Sequence, residues 1–277
     1  IDTAQFTTAP AGEPSFSFIS MGDAQNGLDE WGALLHNAYQ SHPKAAFYLM
    51  AGDLVNRGNH RDDWDSFFHN AAGVYNHRSL VPSIGNHASH GSDGPHMYLA
   101  LFDLLKNGPS SVAPEHAYAF TYSNALFVIL DSNLPPPQQA DWLEQQLSTT
   151  DATWIFVCYH HPAYSSEPRR DNPIVRKVWG ALFDKYHVDM AFQGHDHAYL
   201  RTHPMNNGQR VSSPAEGTIY IESVSGTKYY KLGEFDYTAV GMQNTSTYQL
   251  IDISTDTLTY RAYGADGEVL DELVIRK

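Results

Sequence analysis

Short apolar runs that stop at a glycine-polar pair recur along the first two hundred residues of this chain, with helix-spaced segments between them. Phe16–Met21 stops at Gly22-Asp23, the run 46–51 at Gly52-Asp53, and the run 80–84 at Gly85-Asn86-His87. Between them Leu28, Trp31, Leu35 and Ala38 fall at helical spacing, and 60–72 is a second amphipathic stretch. Strands joined by such crossovers are parallel, and open α/β sheets bind ligands outside the carboxyl ends of their strands. Each polar pair falls at such an end. Further on, the pattern predicts a helix near 97–105 and strands over 116–122 and 125–130. Pro136 and Pro137 open a helix that turns Trp142, Leu143 and Leu147 inward. The run 154–159 stops at His160. Asn172 is then expected to cap a helix with Val175, Val178 and Leu182 on one face, and 188–192 leads into Gly194-His195-Asp196-His197. From Thr218 the character changes to strands over 218–224, 247–253, 258–263 and 269–275, with Ala265-Asp266-Gly267 as a hairpin turn. The expectation is one α/β domain over 15–277, built from two packed mixed β-sheets with helices outside. Residues 1–14, rich in Thr, Ala and Pro, read as a linker or a frayed terminus.

Taken singly, each polar block is what an ordinary turn contains. Together the five blocks supply two carboxylates (Asp23, Asp53), one amide oxygen (Asn86) and three imidazoles (His160, His195, His197). Hard oxygen and imidazole donors suit a pair of divalent cations, and such a pair is a device for cleaving phosphate esters.

In order and type the blocks resemble the calcineurin-like metallophosphoesterases, and in detail their purple acid phosphatase branch. The likeness continues through Ala198-Tyr199-Leu200-Arg201. It implies a four-layer αββα sandwich of two mixed sheets flanked by helices. It also implies that 1–14 is the exit of a missing N-terminal fibronectin-like domain. Asp53 then matches the carboxylate that bridges two metals, Asp23 and His197 match ligands of the first metal, and Asn86, His160 and His195 match ligands of the second. His87 matches a histidine beside the substrate, suited to protonating the leaving alkoxide; orienting a metal ligand is the other reading. Two departures from the pattern bear on the metals. The branch's metal-binding tyrosine is Asn56 here, which predicts a colourless enzyme with two divalent ions drawn from Mn, Fe, Zn, Co or Ni. Other branches place a histidine where Gln25 stands, so the first metal is one strong ligand short, and Gln25, Asn56 or water completes its shell. Arg169 and Arg170 stand where the branch has substrate-facing histidines, and Tyr164 keeps a shared position. These three are assigned to substrate, the arginines as paired donors for phosphate oxygens, with a solvated loop pair as their alternative. His161 is read as structural, His90 and His96 as loop histidines. The glycine-bounded segment 226–233 is read as a structural loop that could also stack on a leaving group.

Composition narrows the partners. With 31 acidic against 17 basic residues and a formal charge of −14, the surface repels nucleic acid polymers and anionic membranes, so a small phosphate ester is the expected partner. Cys158 is the sole cysteine, which excludes an intramolecular disulfide, and it lies in a run read as buried and inert. Apolar runs are strand-sized, so no transmembrane helix is expected. A start at Ile1 fits a processed or truncated chain, and with it a secreted or periplasmic location. The function this favours is a metal-dependent phosphomonoesterase. The rivals are a phosphodiesterase acting on cyclic nucleotides and a degenerate member that keeps the fold as a binding scaffold.

Overall fold

The computed structural model describes residues 4, 15–89 and 94–277. The expectations for 1–14, residue 4 apart, and for His90 lie outside the described residues. The chain opens with β1 (Phe16–Met21), α1 (Leu28–Ser41), β2 (Phe47–Met50), α2 (Arg61–Ala71) and β3 (Ser79–Pro82). After α3 (His96–Leu101) come β4 (Tyr118–Tyr122), β5 (Ala125–Ile129), α4 (Pro137–Thr149) and β6 (Trp154–Cys158). One helical run then consists of α5 (Pro173–Val175), a π segment (Arg176–Gly180) and α6 (Ala181–Tyr186). It leads to β7 (Met190–Gln193), β8 (Tyr199–Thr202), and the short β9 (Met205–Asn206) and β10 (Gln209–Arg210). The chain closes with β11 (Ile219–Glu222), β12 (Thr238–Met242), β13 (Thr247–Ile253), β14 (Thr257–Gly264) and β15 (Val269–Arg276).

Two mixed sheets result. One runs β15-β14-β13-β1-β2-β3, the other β12-β8-β11-β7-β6-β5-β4. In the first, β1, β2 and β3 are mutually parallel, as the crossover pattern requires. In the second, β5, β6, β7 and β11 are parallel, β4 and β8 run against them, and the edge strand β12, antiparallel to β8, runs with them.

Alternation along each strand explains the four layers, because successive side chains point to opposite faces. In β1, Phe18 enters the core between the sheets while Ile19 and Met21 face the helices. Phe18 meets Phe47, Phe127, Phe156 and Phe192 with ring centroids 5.1 to 5.8 Å apart. Each such ring contributes about 1.5–3 kcal/mol by leaving water. On the outer face of the first sheet Trp31 of α1 stacks on Phe67 of α2 at 4.6 Å. On the outer face of the second, Trp179 meets Tyr159 edge-on at 5.2 Å.

The fold corrects several local expectations. The buried stripe of the helical run is Val175, Trp179 and Phe183, while Val178 and Leu182 are half-buried. Asn172 stands at the N-cap position without capping; its amide donates to the carbonyls of Pro162 (2.9 Å) and Arg170 (3.0 Å) and so ties the loop after His160 to the helix. Leu143 and Leu147 are buried as expected, but Trp142 is half-buried, its indole N–H donating to the Asn107 carbonyl at 2.9 Å. Strands β8 and β12 had no counterpart among the expected elements. Cys158 is buried, and burial pushes its thiol up to about 12, which makes it inert.

Candidate metal centre

The carboxyl ends of β1, β2 and β3 in one sheet meet those of β6 and β7 in the other, and the five polar blocks gather at this shared edge. Among the hydrogen bonds that cross it, two involve the backbone. His160 Nδ1 lies 2.8 Å from the carbonyl of Ala51, and the backbone N–H of His195 donates to Asp23 Oδ2 at 2.7 Å. A carbonyl only accepts, so Nδ1 carries the proton of His160 and Nε2 is left to face inward.

That inward atom faces two oxygens and a ring nitrogen. His160 Nε2 is 3.1 Å from Asp53 Oδ2, 3.0 Å from Asn86 Oδ1 and 3.1 Å from His195 Nδ1. Donor atoms of Asp53, His160 and His195 all lie within 4.8 Å of one another. A neutral His160 would set its lone pair against two oxygens, so the cluster calls for a positive species at its centre, either a proton or a metal cation. Burial alone would depress His160, but Asp53 and Asp23 outweigh it and hold the imidazole up at about 9. Burial pushes the Asp53 carboxyl upward, yet His160 and His87 pull it down to about 2.

A second donor group adjoins the first. His197 Nε2 lies 3.5 Å from Asp23 Oδ1 and 3.2 Å from Gln25 Nε2, and Gln25 Nε2 donates to Asp53 Oδ2 at 3.3 Å. Asp23 and Gln25 are buried, and Asp23 Oδ1 and Gln25 Oε1 make no hydrogen bond. Buried oxygens without a donor are costly, at about 1–3 kcal/mol each, and an unsatisfied pair beside an imidazole is what a cation would complete. Burial, with the charges of Asp53 and Asp196 added, drives Asp23 up to about 8 against the pull of His160. Burial also holds His197 down at about 4, a neutral ring whose Nδ1–H is given to the Lys228 carbonyl at 3.0 Å. The residues present therefore fit the divalent cations that the sequence implied.

The backbone explains why the blocks read as they do. Asp23 (φ 50°), Asp53 (φ 49°), His195 (φ 79°) and His197 (φ 49°) all adopt the left-handed conformation. A side chain there is strained and persists where its surroundings hold it. Gly85 and Gly194 are needed for close approach: a Cβ on Gly85 would collide with the Asp53 backbone and carboxylate, and one on Gly194 with the Asp23 carboxylate.

The other assigned residues divide. His87 belongs to the cluster: its N–H donates to Asp53 Oδ1 at 2.8 Å, Nδ1 lies 2.6 Å from the Asn56 carbonyl, and Nε2 is 3.9 Å from Asp53 Oδ2. Asn56 itself is exposed and takes part through that carbonyl, whereas Gln25 reaches the donors with its side chain. Arg170 is at the site. Its Nη2 donates to His195 Nε2, Nη1 lies 3.4 Å from the His195 carbonyl, and Nε is 3.1 Å from Asp196 Oδ1. Arg169 is exposed, its backbone N–H donating to Glu167. Tyr164, assigned to substrate, is buried among core aromatics, edge-on to Tyr220 at 4.7 Å, with Arg176 over its ring at 5.3 Å. His161 lies nearer the donors. Read as structural, it packs at 4.3 Å on the His195 ring, with Nδ1 2.9 Å from Ser132 Oγ. His96 is exposed on α3. Two further participants were missed. Asp196 accepts from Ser165 and pairs with Arg170, and Tyr230 lies 4.7 Å from the His197 ring. The Asp196 signal was its place between two block histidines; Tyr230 had none beyond its loop.

Comparison with known proteins agrees with this architecture. A purple acid phosphatase from yellow lupin seeds (Lupinus luteus) superposes with a TM-score of 0.85 at 18% identity, over 98% of this chain and 56% of that one. Two mixed sheets between helices, with carboxylates and imidazoles at one carboxyl edge, define the metallophosphoesterase sandwich. The chain belongs to the calcineurin-like phosphoesterase family, whose model matches residues 16–199. An uncharacterized protein of Mycobacterium tuberculosis is 26% identical over 273 residues, 82% of this chain and 51% of that protein. A purple acid phosphatase of Glycine max is 27% identical over 228 residues, 73% and 47% respectively. The chain thus spans about half the length of the curated relatives it matches. Among the described residues no helix is long and apolar enough to cross a membrane.

Proposed function

We propose that this chain is a metal-dependent phosphomonoesterase acting on small phosphate esters, with two divalent cations held by its two donor groups. The observation that carries this reading is the meeting of Asp53 Oδ2, Asn86 Oδ1 and His195 Nδ1 around His160 Nε2 at one sheet edge. Asn86, His160 and His195 would hold one ion and Asp23 and His197 the other. Asp53, whose Oδ2 faces both His160 and Gln25, is placed to be shared. Gln25 would add a weak ligand once its amide turns to present Oε1, and Asn56 contributes only through His87. Mn, Fe, Zn, Co and Ni all suit mixed oxygen and imidazole donors, and the lack of a tyrosine at position 56 argues for a colourless centre.

When bound, the cations supply Lewis-acid polarisation of the phosphoryl group and an acidified water. The chain's own groups do the rest. The Ala51 carbonyl fixes the His160 ring, and Lys228 does the same for His197, so the donors are oriented in advance. Arg170 presents N–H groups at the His195 face of the cluster, where they can take phosphoryl oxygens in pairs. His87 keeps one proton on Nδ1, against the Asn56 carbonyl, so Nε2 is the atom that releases a proton to the leaving oxygen. Protein supplied in turn with each of the five metals should hydrolyse p-nitrophenyl phosphate faster than bis-p-nitrophenyl phosphate. A faster diester reaction would make it a phosphodiesterase, and no hydrolysis of either ester with any metal would leave a binding scaffold.

A further inference from the structure

The loop after β11 brings a cation to the site that no motif assigns. Tyr230 packs its ring against His197 at 4.7 Å and ties its backbone N–H to the His197 carbonyl at 3.1 Å. The Arg170 guanidinium lies over that ring at 5.1 Å from the centroid and the Lys228 ammonium at 5.2 Å. Two like charges around one ring repel, and the negative face of the tyrosine is what offsets the repulsion. Among the described residues Arg170 has one carboxylate partner, Asp196. Among the described residues Lys228 pairs with no carboxylate, its cation contact being the ring. On a chain of formal charge −14 this sets two cations side by side, half-exposed and next to the donor atoms.

The anchoring is one-sided. Arg170 spends Nε on Asp196, Nη1 on the His195 carbonyl and Nη2 on His195 Nε2, which leaves two of its five N–H groups uncommitted. Lys228 is held by its backbone, since its carbonyl accepts from His197 Nδ1. Its position is therefore fixed by the metal-site histidine, while its ammonium is left for a ligand.

We propose that Lys228, held against the Tyr230 ring, forms a second anion subsite beside the phosphoryl site that Arg170 serves, so that the preferred substrates are phosphate monoesters whose leaving group carries a further anionic group. The inference rests on the phosphomonoesterase reading for its substrate, but binding tests it independently. The probes are two non-hydrolysable phosphonates of equal chain length, propylphosphonate and 3-phosphonopropionate, titrated calorimetrically into metal-supplied protein. The carboxylate should improve affinity about tenfold, the worth of a charge-assisted hydrogen bond. Lys228→Gln, which keeps the backbone carbonyl, should bring the ratio below about twofold. Tyr230→Leu should do likewise, and Tyr230→Phe, which keeps the ring, should retain it. Equal affinities in the unaltered protein, or a ratio that survives Lys228→Gln, would overturn the subsite. A Lys228-dependent ratio in a protein that hydrolyses no ester would uphold the subsite and sink the enzyme reading instead.

Discussion

Asp23 concentrates the conflict between folding and chemistry in a single residue. It is buried, sits at φ 50°, leaves Oδ1 without a hydrogen bond, and shares its surroundings with the Asp53 carboxylate. Asp23→Asn keeps an acceptor for the His195 N–H and a residue type that tolerates left-handed backbone, while removing a carboxyl that burial raises to about 8 and so keeps largely protonated at neutral pH. Metal-free protein at neutral pH should gain about 1–2 kcal/mol, a few degrees in Tm, because the unfolded chain ionises that carboxyl freely and the folded one does not. The same variant should bind metal more weakly in calorimetric titration. A fall in the metal-free Tm would show that this carboxylate is not strained. The chemical identity of such residues was legible because a block fixes both residue type and strand end. Orientation was not legible. Nothing in the run His160 to Tyr164 says that His161 turns onto His195 while Tyr164 turns into the core, since that depends on what the second sheet places opposite.

At the scale of elements, the helical run over 173–186 shows how one irregular turn rewrites a pattern. An uninterrupted amphipathic helix through Val175, Val178 and Leu182 would bury all three. With the π segment Arg176–Gly180 in its middle, the buried set is Val175, Trp179 and Phe183. A π turn holds more residues than an α turn, so positions beyond it rotate relative to those before it. Phe183→Ala should therefore cost about 3–5 kcal/mol in urea unfolding, and Leu182→Ala distinctly less. Equal losses would mean that the regular helical phase holds after all. The parallel strands and their helices were legible because alternation and 3.6-residue spacing are local signals. Strands β8 and β12 were not, because YLRT and TAVGM are neither continuous apolar runs nor alternating ones. β12, TAVGM, is half-buried throughout and has no alternation to read.

For the whole molecule, the arrangement that matters is which sheet supplies which donor. Asp23, Asp53 and Asn86 follow β1, β2 and β3 of one sheet, while His160, His195 and His197 follow β6 and β7 of the other. The sheets are packed through an apolar aromatic core, and a buried polar tie also joins them: Arg201 of β8 to Asp271 of β15 at 2.6 Å, with the Tyr199 hydroxyl donating to the same carboxylate. The count of two sheets could be anticipated from the strand-helix order. Their strand orders could not, because β13 lies beside β1 and β12 beside β8 through pairings between residues far apart in sequence. A cation at the shared edge would be held by both sheets at once, so it binds the assembled sandwich and not the unfolded chain. Linkage then stabilises the fold by about 2.7 kcal/mol at a hundredfold excess over Kd, or roughly 5–10 °C in Tm for a domain of this size. Adding EDTA to metal-loaded protein should lower Tm by that amount, and restoring Mn or Zn should recover it. In Asp53→Asn, which weakens the carboxylate facing both donor groups, the EDTA-sensitive part of Tm should largely disappear. A melting temperature indifferent to EDTA in the unaltered protein would mean that the edge holds no ion across the two sheets, and that His160 is satisfied there by a proton alone.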